Sequence, residues 1–495
     1  MNPATVILAL CAAAHLSPAV SQEMHSHPPP EKLGTVTFAT SCAPGVRKDF
    51  QRSVALLHSF AYTASEKSFR EVAAADPNCA MSHWGIAMSY YHQLWSPPSP
   101  DELRSGQKEI EQAGHLGVAS PRERQYIAAA AVYYKDAEHV PPQVRAKAYA
   151  DAMAGVARNN PKDTEAQVFY ALALIATAPL QDRTHANQKH AAAILEPIYR
   201  DQPDHPGAAH YLIHTYDSAE LAPRGLAAAR AYSKIAPSAP HALHMPSHIF
   251  TRLGLWDDSI TSNLAARAAA HSEGDQGEEL HAMDYLVYAY LQRGRDSDAE
   301  SLLVDLHSMG ALLGDDFKVG YAATAMPVRL AMERHRWSDA AALQPLPGSP
   351  PHIAALVYWA RAVASARSGH PRAADADIAK IATCRQQLKA AGDDYWATQV
   401  EVLGKEAKAW QLAATQHSAE AVQWLRQAVD EEQLLEKLPV TPGPIVPASE
   451  QLGDLLLSQN HPTEALAEFR AALLDAPGRR GALIGEANAA ASATH

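Results

Sequence analysis

The chain has 495 residues, 47% of them hydrophobic and 7% aromatic, and a formal net charge of −12 at pH 7. That length suits two to four ordinary domains or one long repeat array, and without a block of Lys and Arg neither nucleic acid nor an anionic membrane is expected as a partner. No stretch alternates Val, Ile or Thr with polar residues for long enough to read as strands, so an all-α protein is expected.

From the N-terminus, Val6 to Leu16 is an apolar run followed by Ser17-Pro18-Ala19. This is the pattern of a secretory signal peptide over residues 1–19, too short to span a bilayer. It predicts export to the periplasm or the extracellular space. Leu10, before Cys11, is a poor small residue for lipoprotein processing. Residues 20–45, which include "HSHPPPEK", read as an extended lead-in. Cys42 and Cys79 flank the first helical pair; export would let them form a disulfide, and two buried thiols are the alternative. Cys384 would remain single.

Helical units follow over 46–437. "SFREVAAADPNCAMSHWGIAMSYY" spaces Phe69, Pro77, Trp84 and Gly85; "LGLWDDSITSNLAARA" carries Gly254 and Trp256; "LQRGRDSDAESLL" carries Gly294 and Ala299. "RHRWSDAAAL" carries Trp337 and Ala340, and "HSAEAVQWLRQAV" carries Ala421 and Ala428. Pro and Gly around 96–125, 300–320 and 342–352 predict irregular connections there. Residues 438–448, in "LPVTPGPIVPASE", read as a Pro-rich linker before a last unit at 449–480, and 481–495 as a frayed tail. In that last unit Leu452-Gly453, Ala465, Phe469, Ala472 and Pro477 recur with the same logic. Small residues let two antiparallel helices approach, and large ones fill the groove of the neighbouring unit.

This pattern, densest at 448–478 and 240–300, resembles the tetratricopeptide (TPR) repeat. The 205–295 block is similar to exported bacterial tetratricopeptide repeat proteins and to the tetratricopeptide repeat protein 38 group. The resemblance implies an α-solenoid of TPR-like antiparallel helix pairs whose first helices line a concave, ligand-binding groove. It carries over no reaction.

Among 25 histidines, His210 and His214 lie four apart, as do His244 and His248, and the two pairs are 34 residues apart, one repeat length. His210 and His214 each follow a member of the apolar stripe Ala209, Leu212, Ile213, Tyr216 by one residue, so they are rotated about 100° off it. In the next unit the stripe is Met283, Leu286, Val287, Tyr290, the off-stripe positions are Asp284 and Tyr288, and His281 lies a turn earlier. On the resemblance, that flank faces the groove. His210, His214, His244, His248, His281, Asp284 and Tyr288 therefore form the predicted ligand groove. Its five histidines are candidate ligands for Zn, Cu, Ni or Fe, because side chains four apart on a helix can bite one ion. The alternatives are ordinary polar groove or core histidines, or a metal-free pocket for a small molecule. Pro246 either kinks its helix or starts it, and in the second case His241 and His244 belong to the preceding loop. His58, His83 and His92, near the first unit, are expected to place at most one ring in the groove.

No phosphate loop, Gly-x-Ser-x-Gly, His-Glu-x-x-His or Cys-x-x-Cys motif occurs. Three functions stay open: an exported repeat protein binding a protein, peptide or small molecule in a histidine-rich groove; a metal-dependent enzyme on the same cluster; and an envelope assembly scaffold that needs none of the histidines.

Overall fold

The computed structural model describes residues 31–94, 98–117 and 120–493. The signal-peptide segment 1–19 and the start of the 20–45 lead-in lie outside the described residues. Among the described residues there are twenty-four α-helices and no β-strand, and none of those helices is long and apolar enough to cross a membrane.

The many prolines coexist with this helix content because a good share of them begin helices, although Pro197 and Pro327 lie inside one. Pro100, Pro121, Pro142, Pro206, Pro240, Pro246, Pro351 and Pro462 each occupy a first turn. There the missing N–H leaves no bond unmade and the fixed φ suits the helix. This corrects the expectation of an irregular 96–125 segment, which holds the helices Pro100–Leu116 and Pro121–Tyr134. Ser99 accepts from the Glu102 N–H while Glu102 reaches back to the Ser99 N–H, a capping box that starts the first of them. Likewise, 300–308 is helical, and only 310–316 and 343–350 remain irregular connections.

Each helix packs on the next across a short turn, so neighbours run antiparallel, and alternate helices also touch, as Gln276–Gln292 touches Phe317–Glu333 and then Pro351–Arg367 is met in turn. This ladder is an α-solenoid of TPR-like pairs. Its small-to-large contacts are real: a Cβ added at Gly85 would lie 2.4 Å from the Phe69 ring, and one at Gly453 2.8 Å from Phe469.

Two contacts depart from neighbour-only packing. The Arg47–His58 helix touches Pro206–Thr215, and Gln276–Gln292 touches Arg480–Ala493. These contacts tie together helices far apart in the chain. Residues 438–448 add to them, and they are no free linker: Val440, Thr441 and Ile445 are buried. Arg329 donates to the Gly443 and Pro444 carbonyls, Arg479 to the Ile445 carbonyl, and the Tyr285 hydroxyl lies 3.3 Å from the Thr441 carbonyl. A Pro-rich segment offers carbonyls and few N–H groups, and buried donors on the array take up those acceptors. We refer to it as the strap.

The predicted frayed tail is also corrected. Arg480–Ala493 is a helix whose Ala482, Gly485 and Ala489 are buried, with Gly485 against the Phe469 ring. At the other end, 32–43 is extended yet anchored. Phe38 is buried among Phe50, Trp84 and Tyr126, and Cys42 and Cys79 are joined by a disulfide with Cα atoms 4.7 Å apart.

Candidate metal centre

Four short pieces of backbone carry the histidines: the end of Arg47–His58, the helix Pro206–Thr215, the paired short helices Pro240–His244 and Pro246–Arg252, and Gln276–Gln292. Pro246 starts its helix, so the chain breaks into two helices around Met245. The break turns His241 away from His244. His241 joins His210 and His214, whereas His244 joins His248 and His281. Within each set of three, one nitrogen per ring lies within 4.8 Å of the others.

The two sets share a wall. Ring centroids are 5.1 Å apart for His210 and His241, 5.9 Å for His214 and His248, and 6.2 Å for His241 and His244. None of the six histidines exceeds 7% exposure. Aromatic rings line them: Phe60 is 4.4 Å from His210, Tyr232 stacks on His210 at 5.0 Å, and Tyr285 lies 4.7 Å from His244 and 5.1 Å from His248. Phe60 reaches its place with φ of 53°, a left-handed conformation that a bulky residue adopts only when its surroundings hold it there.

The outer nitrogens are committed. His210 Nδ1 donates to the His58 carbonyl at 2.6 Å, and His248 Nδ1 donates to Asp217 at 2.8 Å. His244 Nδ1 donates to Asn263 Oδ1 at 2.6 Å, and that amide is oriented by its own Nδ2 donating to the Ser259 carbonyl at 2.8 Å. His241 Nδ1 donates to Glu278 at 3.2 Å. A neutral imidazole protonated at Nδ1 presents a bare lone pair at Nε2. In that tautomer His244 and His248 turn their Nε2 lone pairs toward one another across 3.0 Å, with the Tyr285 hydroxyl 3.5 Å from His248 Nε2, and the Nε2 atoms of His210 and His214 are 3.1 Å apart. Burial works against placing a proton between them: it pushes His248 down to about 4 and His210, His214, His244 and His281 well below the usual imidazole value.

A third group of ligand types, His58, Glu165 and His205, comes equally close. It is internally complete. His205 Nδ1 accepts from the Ala208 N–H and its Nε2 donates to Glu165, while His58 donates from Nε2 to Glu165 and accepts from the Tyr211 hydroxyl at Nδ1. No lone pair is left over there. His83 is bonded to Glu109 and His92 packs on Tyr62, apart from the six.

Asp284 and Tyr288 do not belong to the cluster. Asp284 faces Arg329 at 3.7 Å, and Tyr288 is stacked by the Arg329 and Arg479 guanidinium groups at 4.6 and 5.8 Å. Gln276–Gln292 is buried on every side, so leaving its apolar stripe does not bring a residue to the histidines. Tyr285 takes the position predicted for Tyr288. His241 is the ligand type that sequence reasoning left in a loop.

Beyond the first layer, Asp217 accepts from His248, Arg252 at 2.9 Å and Lys437 at 2.8 Å, the last from the base of the strap. Despite burial, Lys437 and Arg252 hold its carboxyl well below the ordinary range, and burial in turn lowers Lys437 to about 8. Glu278 is likewise held low against burial by Lys318 and His241. A cavity of about 130 Å³ under the strap is lined by Thr251, Arg252, Tyr288, Lys437 and Thr441, beside the centre.

No family model matches the chain, and no curated protein matches it. Solved structures similar to it include the human IFIT1 dimer with PPP-AAAA, at 12% identity over 84% of this chain and 91% of that one, with a TM-score of 0.41. The APC/C hetero-tetramer Cut9–Hcn1 is similar at 8% identity over 92% and 78%, with a TM-score of 0.36. The P58(IPK) TPR domain is similar at 12% identity over 91% and 98%, with a TM-score of 0.23.

Proposed function

We propose that this protein is an exported transition-metal protein that holds two ions, one on His210, His214 and His241 and one on His244, His248 and His281. The observation that carries the reading is the pair of Nε2 atoms of His244 and His248, 3.0 Å apart on rings whose Nδ1 atoms are each fixed by an outer hydrogen bond. Two lone pairs repel at that distance unless an electron-poor atom lies between them. With metal–nitrogen bonds of about 2.0–2.1 Å, nitrogens 3.0 Å apart subtend about 95° at an ion, an ordinary ligand angle. The outer partners Asp217, Asn263 and the His58 carbonyl are of the kind that orient metal-bound imidazoles. Three protein ligands leave one position for water or substrate, the ligand count of reactive sites. Burial restricts that substrate to a small molecule. The Cys42–Cys79 disulfide supports an oxidising compartment.

The competing reading, a partner peptide in an open groove, has less support, because the buried donors Arg329, Arg479 and Tyr285 are already bonded to the strap.

Metal analysis of protein purified without chelators tests the proposal. Two equivalents are expected in the wild type, about one in His244→Ala/His248→Ala and about one in His210→Ala/His214→Ala. A folded wild type that neither carries metal nor takes up added Zn(II), Co(II) or copper refutes it.

A further inference from the structure

We infer that the ions this centre is built for are two cuprous ions. The inference rests on the metal-site reading above and concerns the charge the site can tolerate. All six donors are imidazole nitrogens that bind as neutral groups, so the inner layer supplies no negative charge. The outer layer supplies little more. Asp217 is matched by Arg252 and Lys437, and Glu436 binds the far side of Arg252. Those four side chains sum to zero. Glu278 is matched by Lys318, and Asp284 by Arg329. Glu279 is matched by Arg267. Glu165 keeps one unmatched negative charge, bonded to the His58 and His205 rings.

A dication in each set would place four positive charges in a buried volume whose surroundings offer the unmatched charge of Glu165 alone against them. The cost of moving an ion out of water scales with the square of its charge, so a monovalent ion costs a quarter of what a divalent one of the same size does. Among metals that imidazole binds well, copper is the one with an accessible monovalent state. A closed-shell cuprous ion also accepts three ligands without a fourth, and three is what each set offers. The aromatic lining of Phe60, Tyr232 and Tyr285 keeps the site dry and further favours the lower charge.

Lys437 is then a positioning residue for the oxidation state. It touches no ligand, and it acts through Asp217, which holds His248. Lys437→Met removes one positive charge from the outer layer and leaves the Asp217 to His248 bond in place. Lys318→Met does the same beside Glu278.

The experiment uses the full-length mature protein without metal. Cu(I) is titrated anaerobically against bicinchoninate, Zn(II) against a chromophoric chelator, and the copper-loaded protein is examined by electron paramagnetic resonance and redox titration. Two equivalents of Cu(I) are expected, held at least about a hundredfold more tightly than Zn(II), with no Cu(II) signal in the reduced form. Each Lys→Met variant should shift the Cu(I)/Cu(II) balance about tenfold toward Cu(II), equivalent to about 59 mV for a one-electron couple. Zn(II) bound as tightly as Cu(I), or a potential unmoved in both variants while the protein stays folded, overturns the inference and leaves the metal site standing. Binding of neither ion overturns the site reading together with it.

Discussion

The carbonyl oxygen of His58 accepts from Nδ1 of His210 at 2.6 Å, while the His58 ring is bonded at both nitrogens to Glu165 and Tyr211. One residue at a helix end therefore couples a finished structural network to the first histidine set. Its ring comes close enough because residue 207 has no side chain: a Cβ there would lie 2.7 Å from His58 Nδ1.

Gly207→Ala should accordingly push the His58 ring off Glu165 and pull its carbonyl away from His210. Overpacking of this kind costs about 1–3 kcal/mol. Denaturant unfolding should show that loss, and metal titration should show the first set weakened more than the set on His244, His248 and His281. Equal weakening of both sets would contradict the coupling.

Asp217→Asn leaves Arg252 and Lys437 buried without their shared carboxylate. Breaking one partner out of a buried ion network costs about 3–5 kcal/mol. Combining it with Lys437→Met should recover part of that loss, since the lysine charge goes as well and Arg252 keeps Glu436. A double variant no more stable than Asp217→Asn alone would argue that packing, not charge, sets the cost.

Asp284 gives a pH signature. Burial raises its carboxyl to about 6 although Arg329 opposes the shift. The folded protein therefore holds that proton more tightly than the unfolded chain, whose value is near 3.8. The stability it contributes is full below about pH 4 and is lost as pH rises through 6, amounting to about 3 kcal/mol. Asp284→Asn should flatten this part of the stability profile between pH 4 and 6. A variant whose slope matches the wild type over that window would show that Asp284 does not titrate there.

The Cys42–Cys79 bridge is open to a thiol count. Denatured, unreduced mature protein should titrate one thiol, that of Cys384. Cys42→Ala/Cys79→Ala should lose about 3–4 kcal/mol, because the loop the bridge closes gains freedom in the unfolded chain. Three titrating thiols would rule the bridge out.

Much of this centre could be read from the order of residues. The 34-residue register of His210/His214 with His244/His248 reflects equivalent helix positions, and the structure brings both pairs and His281 together. What the register hid is local. Pro246 ends one short helix and starts another, and that break sends His241 to the neighbouring set. Asp284 and Tyr288 were misplaced for a different reason: the Gln276–Gln292 helix has no solvent side, so hydrophobic periodicity cannot say which partner each face meets. The strap reads as a linker because its prolines cannot join a helix, and only the positions of Arg329, Arg479 and Tyr285 show that its carbonyls are wanted.

The strap also sets an order in time. All six histidines precede residue 282, whereas Lys437 and the segment that crosses beside them arrive with the last repeats. A chain emerging from its N-terminus can gather the histidines while that side is still exposed, and docking of the C-terminal repeats then shuts it. Loading is thus easiest in the interval before closure. If the proposed ions bind, uptake should be slower once Arg329, Arg479 and Lys437 have fastened the strap and its base.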